Sequence, residues 1–309
     1  MINLSFKKFR NTHKKKINQV IYSSLNVKNE NFLINLINNF LKEKNSFVFE
    51  SVEKAKIRGR YTIFGKDPDK IWEFNNSKAY SINKKKKKRI NGSPEKIVEK
   101  IIESFKFKIP KNLPPISSII SGYFSYDIIR YIEKIPNNCK DDLNLPDVRL
   151  LRPVKLIIYD NLKKKIYFIV NCFSDQKIKN YKIKFNIIKK EIENLKKLII
   201  SKDTIEVEKT FSKKIKIKSN TKKKKFFNMV NKAKKYIKKG DIFQVVLSQR
   251  FETNLKKDPL EIYKKLRITN PSPFMYFFNF NDFQIIGASP EILVRLRNNK
   301  ITIRPIAGT

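Results

Sequence analysis

Cysteine, histidine, glycine and acidic residues are all scarce in this 309-residue chain, and each scarcity excludes something. Two cysteines, Cys139 and Cys172, cannot build a disulfide scaffold, and nothing in their use argues for an oxidising compartment. The single histidine, His13, excludes any triad that needs a second histidine and any His-rich metal site within these residues. Long apolar runs are missing too. Leu156–Tyr159 and Ile166–Val170 fall far short of the roughly 18 residues that cross a bilayer, so no membrane partner is expected and the cytoplasm is the expected location. Glycine is limited to seven positions, so where those seven fall carries information.

What is present is sufficient for a core: 40% of residues are hydrophobic and 12% aromatic, which excludes wholesale disorder. At about 150 residues per domain the length suggests two domains. Against 28 Asp+Glu stand 69 Lys+Arg, a formal net charge of +41. A strongly basic chain with interleaved Phe and Tyr can be a nucleic-acid binder. Here, however, lysine, asparagine and isoleucine are spread through every kind of segment, as compositional drift writes them. A nucleic-acid site would concentrate charge on one face, and no such contrast is visible. Weak, salt-dependent attraction to polyanions is expected, with no specific nucleic-acid partner. The runs Lys84–Arg89 and Lys222–Lys225 read as a solvated turn and a solvated helix start. The first 29 residues carry no acid before Glu30, yet they lack the apolar core of a secretory signal and read as part of the folded protein.

Along the chain, residues 31–44 place Phe32/Leu33, Leu36/Ile37 and Phe40 at helical spacing. Ser46–Glu53 and Arg60–Phe64 read as strands. Ser93-Pro94-Glu95 opens a helix with the stripe Ile97, Ile101 and Phe105. Ser118–Tyr126 reads as a strand, and Val154–Tyr159 pairs with Lys165–Val170 through an Asn161–Lys164 turn. Residues 174–220 hold a long Lys-rich helix and then a polar boundary. A second helix spans about Lys222 to Lys239, with Phe226, Val230, Ala233 and Ile237 on one face and Gly240 just past its end. Ile242–Phe251 reads as a strand by its period of two, with Gln244, Ser248 and Arg250 sharing a side. Asp258-Pro259 caps a short helix, and Pro271 and Pro273 break the chain. Strands follow at Met275–Phe280, Phe283–Ile286 and Ile292–Ile303, the last folded over at Asn298-Asn299. Helices and strands come in blocks, with no steady βαβ alternation. The expected fold class is α+β: a layered sandwich of antiparallel sheets flanked by helices, incomplete at the carboxy terminus. The expected division is 1–200 and 220–309.

Three places could carry chemistry. The polar side of 242–251 would need partners if buried. The loop Asn270–Met275, fixed by two prolines, could hold Ser272 and Met275 against a small molecule. In Ala307-Gly308-Thr309, glycine lets a backbone N–H approach a ligand and threonine supplies a hydroxyl. An edge strand, a rigid connector and an ordinary turn account for the same residues.

Taken together, GDIFQVVLSQRF (Gly240–Phe251), NPSPFMYFF (Asn270–Phe278), IIGASPEILVR (Ile285–Arg295) and RPIAGT (Arg304–Thr309) resemble the chorismate-utilising enzymes, specifically anthranilate synthase component I. FVFESVEKAKIRGRYTIFG (Phe47–Gly65) and GYFSYDIIRYIEKIP (Gly122–Pro136) are similar to that component's first region. Six of the seven glycines fall inside these segments. Two positions choose among family members. Isochorismate and salicylate synthases carry a lysine that activates water where this chain has Gln244. One common type of aminodeoxychorismate synthase carries a nucleophilic lysine where this chain has Ala307. An amide and a methyl group can neither deprotonate water nor attack the ring, which leaves ammonia as nucleophile.

The resemblance implies that Mg²⁺ holds a chorismate carboxylate, that ammonia replaces the 4-hydroxyl, and that pyruvate is eliminated to give anthranilate. It implies a glutamine amidotransferase partner, component II, and inhibition by tryptophan at Glu50, Ser51, Pro273, Phe274 and Met275. The family usually has Leu and Tyr where this chain has Phe49 and Phe274, which makes retained feedback control an open expectation. Of the chorismate contacts only Gly308 and Thr309 match. No catalytic residue and no Mg²⁺ ligand is expected before residue 309. Three readings follow: an amino-terminal portion of component I that is inactive alone, a split or decayed product keeping only tryptophan binding or subunit interaction, and a basic nucleic-acid binder.

Overall fold

The computed structural model describes residues 2–52, 59–83, 86–199, 216–255 and 257–306. The chain enters through helix α1 (Phe6–Lys14), whose N-cap Ser5 accepts the Lys8 N–H, and through strand β1 (Gln19–Asn26). Helix α2 (Phe32–Phe40) buries Phe32, Leu33, Leu36, Ile37 and Phe40, the stripe its spacing predicts. Strand β2 (Ser46–Glu50) leads to β3 (Tyr61–Asn75).

β3 runs eleven residues past Phe64, where the sequence reading ends it. Two breakers misled that reading. Gly65 is there because the Phe47 ring lies across it: an added Cβ would sit 2.2 Å from Phe47 Cζ. The register against the neighbouring strand shifts between Pro68 and Lys70, and this irregularity absorbs the proline without ending the strand. Asn76 and Ser77, both with positive φ, then turn β3 into β4 (Lys78–Asn83). The lysine run read as a solvated turn instead supplies β5 (Lys86–Ile90), which among the described residues pairs with β4 alone; its exposed lysines blunt that sheet edge.

Helix α3 (Pro94–Ser104) starts with proline in its first turn and buries Ile97 and Ile101. β6 (Ser121–Phe124) is followed by a 3₁₀ turn over Tyr126–Tyr131. β7 (Val148–Asp160) and β8 (Lys165–Cys172) form the expected hairpin, longer at the open end. Helix α4 (Tyr181–Lys197), capped by Asn180, buries Phe185, Ile188, Ile192 and Leu195.

β9 (Lys218–Ser219) precedes helix α5 (Lys223–Lys239), which ends at Gly240 with φ +79°; there Gly240 N–H donates to Ile237 O and Asp241 N–H to Tyr236 O. The predicted strand Ile242–Phe251 is not formed. Residues 242–250 are irregular, and only β10 (Phe251–Glu252) pairs, with β9. Alternation alone makes no strand when no neighbouring ladder accepts its N–H and C=O groups. Helix α6 (Pro259–Thr269) is capped by Asp258, whose Oδ1 accepts the Leu260 N–H at 2.8 Å. β11 (Phe274–Asn279) and β12 (Gln284–Ser289) form a hairpin. β13 (Arg295–Arg297) and β14 (Lys300–Thr302) form another, closed by positive-φ Asn298 and Asn299.

Ten of these strands build one antiparallel sheet, in the order β1-β8-β7-β3-β2-β11-β12, with β4 and β5 extending from β3 and β6 on β7. The fold is thus α+β, an antiparallel sheet flanked by helices. One sheet face packs Ile157, Phe168 and Phe277 against Phe9, Leu36, Ile188, Ile192 and Tyr263 of the helices. The other gathers Phe47, Leu156, Ile158, Tyr167 and Phe278, and α3 covers Trp72, Phe74 and Leu150. The β11–β12 turn is tied down by Arg149, which pairs with Glu73 at 2.8 Å and with Asp282, its guanidinium 4.7 Å from the Phe283 ring centroid. Covering of the carboxy-terminal elements is uneven: Tyr263, Met275 and Phe277 are buried, whereas α5 buries no residue, Phe243 is 100% exposed and Leu293 90%.

Candidate functional site

The α6–β11 connection sets the site. Helix α6 stops at Asn270, whose N–H donates to Leu266 O at 2.8 Å, because Pro271 offers no N–H to continue it. Ser272 is buried, and its carbonyl accepts the Val52 N–H at 3.2 Å, which draws the loop against the end of β2. β11 then pairs antiparallel with β2 so that Met275 lies opposite Glu50 and Tyr276 opposite Phe49.

Glu50 is 4% exposed, and a buried carboxylate is costly unless partnered. Its partners come from α6. Tyr263 donates its hydroxyl to Oε1 at 2.5 Å, and Arg267 Nε reaches Oε1 at 2.9 Å and Oε2 at 3.0 Å. Tyr263 and Arg267 are one helical turn apart, so a single helix face delivers both. Burial, and then the nearby Glu50 charge, hold the Tyr263 hydroxyl well above its ordinary pKa. Sequence reasoning found Glu50 but missed these two residues. The available signal was a tyrosine and an arginine four apart on the helix that ends at Asn270-Pro271.

The predicted residues divide as follows. Glu50 and Met275 are brought together on the helix-packed face. Ser51 adjoins them, its Oγ buried without a hydrogen-bond partner among the described residues. Gly59, with φ +88°, closes against it; an added Cβ there would lie 2.8 Å from Ser51 Oγ. Residues 53–58, between the two, lie outside the described residues. Pro273 is half-buried, and strand alternation turns Phe274, 43% exposed, to the opposite face from Met275. Gln244 is exposed in the irregular 242–250 segment, and Ser248 and Arg250 share no strand face with it. Ala307, Gly308 and Thr309 lie outside the described residues.

The Glu50 region is suited to binding rather than to bond-making: a buried anionic group beside apolar Met275, with an unspent hydroxyl next to it. Among the described residues no group of three or more His, Cys, Asp or Glu is placed to hold a metal ion. Among them, too, no helix is long and apolar enough to cross a membrane. An open cavity of about 760 Å³ lies between residues 2–6 and α4, away from every predicted site residue. The Cys172 thiol is pushed up to about 11 by burial and is no nucleophile.

Residues 46–309 match the family model described as chorismate binding enzyme. The chain is 34% identical over 315 aligned residues to anthranilate synthase component 1 of Cereibacter sphaeroides, covering 99% of this chain and 62% of that protein. It is 36% identical to the protein of the same name from Acetivibrio thermocellus, covering 89% and 57%. The crystal structure of anthranilate synthase component I from Streptococcus pneumoniae TIGR4 superposes with a TM-score of 0.68 at 28% identity, covering 81% of this chain and 54% of that one. The chain therefore spans about 60% of the length of these two curated relatives.

Proposed function

Because the chain belongs to the family of chorismate-binding enzymes, we propose that it is the amino-terminal portion of an anthranilate synthase large subunit, converting chorismate and ammonia to anthranilate and pyruvate. The observation that carries this reading is that relatives of that name run along nearly the whole chain, while Gln244 and Ala307 stand where other branches of the family are expected to place lysine. With neither lysine, ammonia is the nucleophile, and a glutamine amidotransferase partner, component II, supplies it in the cytoplasm. Gly308 and Thr309 contact chorismate; the carboxylates for Mg²⁺ and the groups that protonate and deprotonate the ring belong to polypeptide beyond residue 309. The uncovered apolar side chains of α5, Phe243 and Leu293 support this, since surfaces of that kind normally pack against something. The 309 residues alone are inactive.

Tryptophan binds at the β2–β11 junction and inhibits the completed enzyme. Glu50 receives its ammonium, Ser51 offers a hydroxyl, and Pro273, Phe274 and Met275 border the ligand. The buried, unpartnered Ser51 Oγ favours this placement. The test is growth of a tryptophan auxotroph lacking component I. The chain should restore growth only when co-expressed with the carboxy-terminal part of a relative. Growth with the chain alone would overturn the need for a remainder, and no growth in either case would overturn the assignment.

A further inference from the structure

We infer that residues 2–4 guard the outer edge of the ten-stranded sheet, and that the edge they mask fits a second copy of this chain, which pairs with β1 once Asn3 is removed. Among the described residues β1 hydrogen-bonds to β8 on one side and ends the strand order on the other. On that outer side Asn3 imitates a one-residue strand. Its N–H donates to Tyr22 O at 3.0 Å, its Oδ1 accepts the Tyr22 N–H at 2.8 Å, and its Nδ2 donates to Val20 O at 3.4 Å. Ile2 and Leu4, on either side of it, lean against the helix-packed core. The seat is shallow. Asn3 is exposed, and the open cavity of about 760 Å³ lies between this segment and α4, so little packing is lost with the guard.

The residues of β1 explain why it needs a guard. QVIYSSLN (Gln19–Asn26) holds no charge, no proline and no glycine, in a chain with 69 Lys+Arg and 28 Asp+Glu. An uncharged free edge rich in β-formers is a template for another strand. The β5 edge is protected by its own lysines, whereas the basic residues near β1 stand outside the strand, at Lys14–Lys16 and Lys28. The mate that fits this edge is another β1. Tyr22 turns its N–H and its C=O outward, since both bond to Asn3. Antiparallel pairing about a two-fold axis at Tyr22 lets the two copies exchange these groups and sets Val20 opposite Ser24 of the second copy. Within β1 no like charges meet in that register. Just beyond it Lys16 faces Lys28, and the whole chain carries +41, so the pairing should strengthen as salt is added.

Sedimentation velocity and amide hydrogen exchange test this at about 0.5 M salt, where charges are screened beyond roughly 5 Å. Three forms are compared: the 309-residue chain, Asn3→Ala, and a form lacking residues 2–4, which keeps Ser5 as the α1 N-cap. At low concentration the Tyr22 amide should exchange about ten times faster in both altered forms, the loss of one hydrogen bond. As concentration rises, both altered forms should dimerise and the Tyr22 amide should regain protection, while the unaltered chain shows no such change. Adding Ser24→Lys puts a charge on the edge and should abolish these dimers. β12, the uncharged strand at the other end of the order, is the same in every form, so association through it appears equally in all. Equal association of altered and unaltered forms, or dimers that persist with Ser24→Lys, would overturn the inference. So would a Tyr22 amide that stays protected at every concentration without Asn3. Asn3→Ala removes only two side-chain hydrogen bonds of an exposed residue, so it decides even if the shortened form folds poorly.

Discussion

Replacing Tyr263 by phenylalanine removes one oxygen and nothing else. The ring is fully buried, 5.6 Å from the Phe277 ring, and phenylalanine fills the same space, so no cavity term arises. What is lost is a hydrogen bond to the ionised Glu50, worth about 1.5–3 kcal/mol. Oε1 keeps the Arg267 Nε donor, which places the expected cost in the lower half of that range. Urea unfolding at neutral pH should show it as a lower midpoint at unchanged slope. The pH dependence separates this bond from general damage. Burial and the Glu50 charge hold the folded-state Tyr263 pKa well above the value near 10 that the unfolded chain has. Above pH 10 the unfolded state releases this proton while the folded state keeps it. Native stability therefore falls by up to about 1.4 kcal/mol per pH unit from this group alone. The phenylalanine variant lacks that loss, so its deficit should shrink as pH rises above 10. A deficit that stays constant with pH, or no deficit at neutral pH, would refute the account of Tyr263 as the proton donor to a buried carboxylate.

Gly65→Ala should cost about 1–3 kcal/mol by urea unfolding, because Phe47, fully buried and packed against the rings of Phe49 and Phe278, cannot yield to a Cβ; Phe47→Leu in the same chain should recover part of it. Arg149→Ala leaves the buried Glu73 with only the longer, more exposed ion pair to Lys87 at 3.8 Å and frees the β11–β12 turn, so a loss of about 3 kcal/mol is expected, against a small effect for Lys87→Ala. In the completed enzyme, Ser51→Phe should relieve tryptophan inhibition with turnover retained, since Gly59 closes on the Ser51 side chain so tightly that an added Cβ there would lie 2.8 Å from Oγ; unchanged inhibition would place the inhibitor elsewhere.

Elements whose signals are local were legible in the sequence. α3 with its leading proline, α5 with its closing glycine and the β7–β8 hairpin all follow from a few neighbouring residues. The Asn298-Asn299 turn does too. What failed depends on partners far along the chain. β3 survives Gly65 and Pro68 because Phe47 needs the missing Cβ and the β7 ladder tolerates a shift. Residues 242–250 have strand-like alternation but, among the described residues, no strand paired with them; only Phe251 joins a ladder, with β9. The lysine run becomes an edge strand because β4 offers its free side. At the candidate site, Glu50 and Met275 could be named from motifs, and the register that sets them opposite each other could not. Tyr263 and Arg267 reach Glu50 across more than two hundred residues, a juxtaposition that no local pattern announces.

The most direct test of the anthranilate assignment is product formation from chorismate and ammonia with Mg²⁺, followed by anthranilate fluorescence. The 309-residue chain should be silent alone and should yield anthranilate and pyruvate when joined to the carboxy-terminal part of a relative. Anthranilate from the isolated chain, or isochorismate or aminodeoxychorismate as the completed enzyme's product, would contradict the account.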